Sequence, residues 1–239
     1  MPIDEIEYHP YLQVGEAIQS SRMIVGTFPI YSLTNPRTEQ KNQLQDQRND
    51  LSFFYGSRSN SLWNWYRRYV DTTVDIQNPV SIIKSLGTEK VAISDVISQC
   101  TRVNESFEDN SLRQIVWNLP LAGLIESQIE KILCTSKSAA GAMGWLRDKI
   151  LLPSGFILQT NSSEQLHHQI LATIPDSNTQ IKLIAQVLQK ESKQLSIVAL
   201  PSPGSPERRL SDFGLRKNIH TTTVYLQQYL GTAFNWFLN

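Results

Sequence analysis

Four short apolar runs, each rich in β-branched residues and each closed by turn-forming residues, set the strongest limit on what this chain can become. They are Arg22-Met23-Ile24-Val25, stopped by Gly26 and Pro29; Val91-Ala92-Ile93-Ser94-Asp95; Ile129 to Cys134; and Leu195-Ser196-Ile197-Val198-Ala199-Leu200. Runs this short suit strands buried on both faces better than helices. Helical patterns separate them. An amphipathic segment starts near Asn60 or Ser61 and carries Trp63, Trp65, Tyr66 and Tyr69; a second runs from Pro79 to Leu86, where Gly87 should end it. A third runs from about Ser138 to Ile150 and a last from about Thr221 to Leu238. This alternation predicts an α/β fold of three layers, a central four-stranded, mainly parallel sheet flanked by helices. Right-handed crossovers then gather the loops at the strand carboxyl ends along one edge, where open α/β sheets bind their ligands.

A chain of 239 residues suits one domain over 1–239. Residues 1–21 read as a leading arm or short helix, with Tyr8, Tyr11, Leu12 and Ile18 available to cover one side. Residues 31–52 form a polar, Gln- and Asn-rich loop, long enough to suggest a functional lid. Residues 153–178 are less periodic and suit an insertion or two short elements. The 22 basic and 22 acidic residues cancel, so no global field advertises a polyanionic partner. A local positive surface is still on offer from Arg58, Arg67 and Arg68, and from Arg208, Arg209, Arg216 and Lys217, although a solvated helix face explains such charges equally well.

Cys100 and Cys134 are the only cysteines and form no CxxC pair, which excludes an iron–sulfur centre and leaves two reduced core thiols as the expectation. His167 and His168 are adjacent and so point in different directions, a poor start for a metal site. We expect no metal and no cofactor. With neither a secretory leader pattern nor an apolar run of membrane length, the chain reads as cytoplasmic and nucleoid-associated, with no membrane partner.

Three loops carry the functional signal: Gly26-Thr27-Phe28-Pro29, the segment Tyr55-Gly56-Ser57-Arg58-Ser59-Asn60-Ser61-Leu62-Trp63, and Leu200-Pro201-Ser202-Pro203-Gly204-Ser205. Each follows an apolar run, which places each at the carboxyl end of a strand. Their order and spacing resemble the uracil-DNA glycosylase superfamily, and within it the hypoxanthine-DNA glycosylase and mismatch-specific branches. There a first loop reads roughly Gly-x-x-Pro, a Tyr/Phe-Ala-x-x-x-Asn-x-Phe-Trp segment follows, and a Leu-Pro-Ser/Asn-Pro-Ser-like loop closes the site. Asp95-Val96-Ile97, with Cys100 and Arg102, resembles the Asp-Val-Ile run of the hypoxanthine branch. Four short motifs between Met23 and Arg216 carry the likeness. It implies a monomeric, monofunctional DNA glycosylase that hydrolyses the N-glycosidic bond of a deaminated base, uracil or hypoxanthine, in DNA containing a damaged or mismatched base.

The resemblance makes Asn60 the catalytic side chain, its oxygen orienting a water and its NH₂ donating to the base. Asn60 also suits a helix N-cap, and the two roles can coexist. Base binding falls to Tyr55 as the stacking ring, Gly56 as a backbone without a side chain in the way, the amides of Gly26 and Thr27, Phe28 as pocket wall, and Ser136, with Thr135 as its alternative. DNA contacts fall to Arg58, Lys137 and the late loop. In that loop Pro201 and Pro203 shape the turn, the hydroxyl of Ser202 and the amides of Gly204 and Ser205 meet a phosphate, and Pro206 is the wedge entering the vacated stack, followed by Arg208. Asp95 is expected to order the loops by accepting backbone hydrogen bonds, with a general-base role as the lesser alternative.

Two departures stand out. Phe28 occupies the place where related enzymes carry Asp or Asn, and Leu200 the place of a His that donates to the leaving base. They keep open an alternative, a catalytically weak or inactive module of the same fold that binds nucleic acid or a nucleotide. A small-molecule hydrolase is disfavoured, because there is no Gly-x-Ser-x-Gly elbow and no Gly-rich phosphate loop, and nothing in their spacing pairs Ser202 with His220.

Overall fold

In the computed structural model the described residues are 5–35, 49–103, 109–171, 183–204, 206 and 219–239, with side chains in the last segment described from 224 onward. The chain is an α/β protein. Strands β1 (Glu7–Tyr8), β2 (Arg22–Gly26), β3 (Ala92–Asp95), β4 (Ile97–Arg102), β5 (Leu112–Trp117), β6 (Lys131–Cys134), β7 (Ile157–Leu158), β8 (Ala185–Lys190) and β9 (Lys193–Ala199) build two sheets. The helices are α1 (Leu12–Glu16), α2 (Tyr31–Thr34), α3 (Leu62–Tyr69), α4 (Pro79–Thr88), α5 (Pro120–Gln128), α6 (Ala142–Trp145), α7 (Thr160–Leu171) and α8 (Ile219–Leu238). A π-helical turn, Leu146–Leu151, continues α6.

The main sheet has six strands in the order β3-β2-β6-β9-β8-β7. Its first four members are the strands expected from the sequence, and they run parallel to one another. The expectation of a four-stranded sheet is corrected by β8 and β7, which extend it antiparallel beyond β9. Their burial is uneven, and β7 is two exposed residues long, so neither carries the apolar run that marks the inner strands. The second sheet, β1-β4-β5, is antiparallel and was not legible as strands. Its β5 opens with the buried Leu112 and then mixes exposed and half-buried residues, and its β4 carries Ser98, Gln99 and Thr101.

Period-two alternation divides the main sheet's side chains between two cores. Ile24, Ile93, Leu133 and Val198 face one cluster with Leu62, Trp63 and Tyr66 of α3, Ile82 and Leu86 of α4, and Tyr229 and Phe234 of α8. Met23, Val25, Ala92, Ile132, Cys134, Ile197 and Ala199 face the other with Leu121 and Ile125 of α5, Met143 of α6 and Ile150 of the π turn. Helices therefore cover both faces. Asn78 accepts from the amide of Val80 at 3.0 Å and Pro79 opens the helix, which fixes the start of α4. The helix runs through Gly87 to Thr88 rather than ending before it.

The arm is tied down at several points. Glu7 of β1 forms an ion pair with Arg102 at 3.1 Å in which both side chains are almost fully buried, and Thr34 donates to the same carboxylate. Arg102 also donates to the carbonyl of Pro29 at 2.8 Å, bracing the loop after β2. At the outer edge of β3 lies α1, where Gly15 approaches the carbonyl of Ile93 so closely that a Cβ would stand 2.2 Å from it. Within the 31–52 loop, Tyr31–Thr34 is a short helix, and residues 36–48 lie outside the described residues.

Candidate functional site

The chain leaves β2 for β3 on one side and later crosses to β6 on the other. The carboxyl ends of β2 and β6 therefore flank the point where strand order reverses, and open parallel sheets form a binding crevice at such a point. A cleft of about 830 Å³ opens there. Thr27 and Phe28 after β2, Asp95 at the end of β3, Thr135 and Ser136 after β6, and Ser202, Pro203 and Gly204 after β9 all line it, joined by Tyr55, Gly56 and Asn60 from the α3 approach. The amide of Ser61 donates to the carbonyl of Pro203 at 3.0 Å, which fastens the late loop to the Asn60 segment.

The Tyr55 segment does not follow a strand. Residues 51–56 are an irregular turn in which Gly56 donates to the carbonyl of Phe53, and Tyr55 adopts φ +53°, in the left-handed region. The aromatic run Phe53-Phe54-Tyr55 mimics a strand in sequence because Phe53, Phe54 and Trp63 pack as a cluster, with the indole donating to the carbonyl of Phe54 at 2.8 Å.

At the floor of the cleft, both oxygens of Asp95 accept from side chains: Oδ2 from Nε2 of His9 at 2.8 Å, and Oδ1 from the hydroxyl of Tyr55 at 3.2 Å. The amide of Tyr11 donates to Nδ1 of His9 at 3.1 Å, so the imidazole proton sits on Nε2 and points at the carboxylate. This replaces the expectation that Asp95 orders loops through backbone donors. Burial is the main cause pushing the phenol of Tyr55 well above its usual range, reinforced by the neighbouring Asp95 charge and opposed by a hydrogen bond with Thr135. The Tyr55 ring lines the cleft while its hydroxyl lies inside the protein. The signal for His9 in the sequence was slight, a lone His in an arm of aromatic residues; its partner is distant in the chain, and the pairing of β1 with β4 brings the arm there.

Asn60 lines the cleft, and its Oδ1 accepts from the amide of Leu62 at 2.9 Å at the start of α3. One of the oxygen's two acceptor sites is thereby engaged, and no described residue accepts from Nδ2. Both ends of the carboxamide therefore keep hydrogen-bonding capacity for a ligand or a water. Ser136 is similar, since its Oγ accepts from the amide of Ala142 at 2.9 Å and its own proton remains to donate. Thr27 Oγ1 donates to Asp109 at 2.9 Å, and Asp109 and Asn110 complete a wall of the cleft that the sequence did not suggest.

Other expected site residues stand apart. Gly26 lies beneath the Tyr55 hydroxyl and is not part of the lining, so Thr27 alone represents that pair in the cleft. Pro201 is buried, as is Leu200, whose amide donates to the carbonyl of Cys134 at 2.7 Å, so neither presents a group to DNA. Arg58 lines a neighbouring hollow of about 60 Å³ and has an exposed side chain. Lys137 and Pro206 are half-buried outside the cleft lining. Ser205, Arg208, Arg209, Arg216 and Lys217 lie outside the described residues, as does the side chain of His220. Arg67 and Arg68 sit exposed on α3, where Arg68 donates to Gln227 at 3.3 Å, a solvated face. His167 bonds the carbonyl of Leu183, and no metal-holding cluster of His, Cys, Asp or Glu occurs among the described residues. Nor does any described helix have the length and apolarity to cross a membrane.

Fold and cleft thus define an α/β protein with a polar and aromatic binding crevice at its topological switch point. Comparison of the chain with protein-family models, with curated proteins and with solved structures finds no match.

Proposed function

We propose that the protein is a DNA glycosylase-like hydrolase that releases a deaminated base, uracil or hypoxanthine, in the manner of the uracil-DNA glycosylase superfamily it resembles in its loops. One observation carries the reading: three loops singled out by motif, separated by up to about 175 residues of chain, line one cleft, Tyr55, Asn60 and Ser202 among them. An everted base would enter this cleft, with Tyr55 and Phe28 offering aromatic surface and the Nδ2 of Asn60 and the hydroxyl of Ser136 offering donors to its edge. The parallel strands of the main sheet and the helices on both its faces suit the same family.

The alternative of a binding module draws support from one feature, the engagement of Asn60 Oδ1 by the Leu62 amide, which leaves that oxygen a single site for orienting a water. A pair of variants separates the roles. The N-cap of α3 is Ser61, without a side-chain cap bond, and Asn60 stands one residue before it; Asn60→Asp keeps an oxygen for the Leu62 amide but removes the NH₂, whereas Asn60→Ala removes both and loses that hydrogen bond, about 1 kcal/mol. Both should abolish formation of abasic sites in uracil- or hypoxanthine-containing duplexes, with DNA affinity nearly unchanged. If wild-type protein binds such duplexes without yielding abasic sites, the module is the correct reading; if Asn60→Asp cleaves at the wild-type rate, Asn60 only braces the turn into α3.

A further inference from the structure

Among the described residues that line the cleft, the charged ones are Asp95 and Asp109, and none is Lys or Arg. Asp95 is the informative one. Its side chain is 4 % exposed, and its two oxygens receive one hydrogen bond each from His9 and Tyr55. The Tyr11 amide donates to Nδ1 of His9, so it is Nε2 that gives its proton to Asp95, and no Lys or Arg pairs with this carboxylate among the described residues. A buried carboxylate is costly unless a cation or a full set of donors meets it, and carboxylate oxygens have room for more donors than the two supplied here. The rings of Tyr55 and Trp145 line the same cleft, as does that of Phe28, over which the Arg102 guanidinium already lies at 5.8 Å. A carboxylate combined with aromatic faces attracts a flat cation, the first by charge and the second by ring quadrupoles.

We infer that the cleft selects a purine carrying positive charge on its ring, alkylated or, as hypoxanthine can be, protonated at a ring nitrogen, so that of the two bases proposed above it favours hypoxanthine over uracil, which must depart as an anion. The inference rests on the proposed glycosylase reading for its chemistry, and its binding component stands without it. For such a base the hydrolysis is simple. Water oxygen bonds to C1′, the bond from C1′ to the base nitrogen breaks, and its electron pair neutralises the ring, so the base leaves uncharged while the water's proton passes to solvent. No donor is needed to hold a departing anion, in keeping with a late loop whose Leu200 is buried and apolar. A base leaving as an anion would instead develop its charge close to Asp95.

The test uses nucleosides and duplexes with the full chain. Wild-type protein titrated with 7-methylguanosine and with guanosine at mildly acidic pH, where the methylated ring keeps its charge, should bind the methylated nucleoside about tenfold more tightly, the scale of one charge-assisted contact over a neutral one. Asp95→Asn should erase that preference. Equal binding, or no detectable binding of either nucleoside, overturns the inference, and this comparison needs no variant to fold. Duplexes bearing 7-methylguanine or uracil, each with an enzyme-free control, then part the two claims. Faster abasic-site formation at uracil overturns the charge selection and leaves the glycosylase reading standing. Selective nucleoside binding without abasic product from either duplex keeps the charge selection and removes the glycosylase reading.

Discussion

Replacing Gly26 by alanine tests the geometry of the cleft floor more sharply than any change to a lining side chain. A Cβ there would lie 1.8 Å from the Tyr55 hydroxyl, 2.6 Å from the ring carbon that bears it and 2.4 Å from Oδ1 of Asp95. Bringing the hydroxyl out to an ordinary 3.4 Å contact demands a shift of about 1.6 Å, and the bond to Asp95, already 3.2 Å long, cannot survive it. The cost joins overpacking of a filled site, about 1–3 kcal/mol, to a buried hydroxyl left without its acceptor, again about 1–3 kcal/mol. The two overlap, so about 2–4 kcal/mol is expected. For a chain of this size each kcal/mol lowers the melting temperature by about 2–4 °C, so Gly26→Ala should melt about 5–15 °C below wild type. Tyr55→Phe alone should cost about 1 kcal/mol. Because the ring carbon still clashes, the double variant should be less destabilised than the two singles summed, but not rescued to wild type. Thermal unfolding followed by circular dichroism reads all three. A Gly26→Ala protein that melts within a degree of wild type would show that the Tyr55 hydroxyl does not occupy the space above Gly26, and the account of the cleft floor would fall with it.

Other perturbations probe the supports of the site. Removing one partner of the buried Glu7–Arg102 pair, as in Glu7→Gln, should destabilise by about 3–5 kcal/mol in urea unfolding, and Glu7→Gln with Arg102→Met by less, because no lone charge is left inside; equal losses would show the pair to be solvated. Burial pushes the thiol of Cys100 up to about 12, and raises that of Cys134 as well, so neither should react with a disulfide reagent near neutral pH until the protein unfolds. Rapid labelling of native protein would contradict this. Burial likewise raises Tyr11 to about 12 and holds Tyr55, Tyr66 and Tyr229 above the ordinary phenol value of 10.0. The folded state then keeps protons that the unfolded state releases, so stability is intact below pH 10 and declines as pH rises beyond it. Phenolate absorbance from these residues should appear together with unfolding; gradual ionisation of all four in a folded protein would refute their burial.

The parallel heart of the sheet was legible because a strand buried on both faces has to be apolar at every position, and Met23 to Val25 or Ile197 to Ala199 satisfy that without reference to the rest of the chain. The antiparallel additions were not, since β5 and β8 mix polar with apolar residues and take their identity from a neighbouring strand that pairing alone supplies. The same distinction governs the cleft. Thr27, Phe28, Tyr55, Asn60 and Ser202 were placed together by motif order, and the structure brings them together. The engagement of Asn60 by α3, and of Asp95 by His9 across 86 residues, depends on packing that no local pattern encodes. Tyr55 shows the limit well: its aromatic run imitates a strand, whereas the backbone turns through a left-handed residue there.

The two borders of the main sheet bear on how the protein behaves in a crowded solution. One border ends in the two-residue β7, too brief to template much pairing, and at the other the backbone of α1 rests on the Ile93 carbonyl where an incoming strand would have to dock. Short or covered margins of this kind deny a second molecule the row of open donors and acceptors from which ordered aggregates grow. A sheet with so apolar a centre is thereby kept from polymerising through its sides, and helix α1 serves as its bumper.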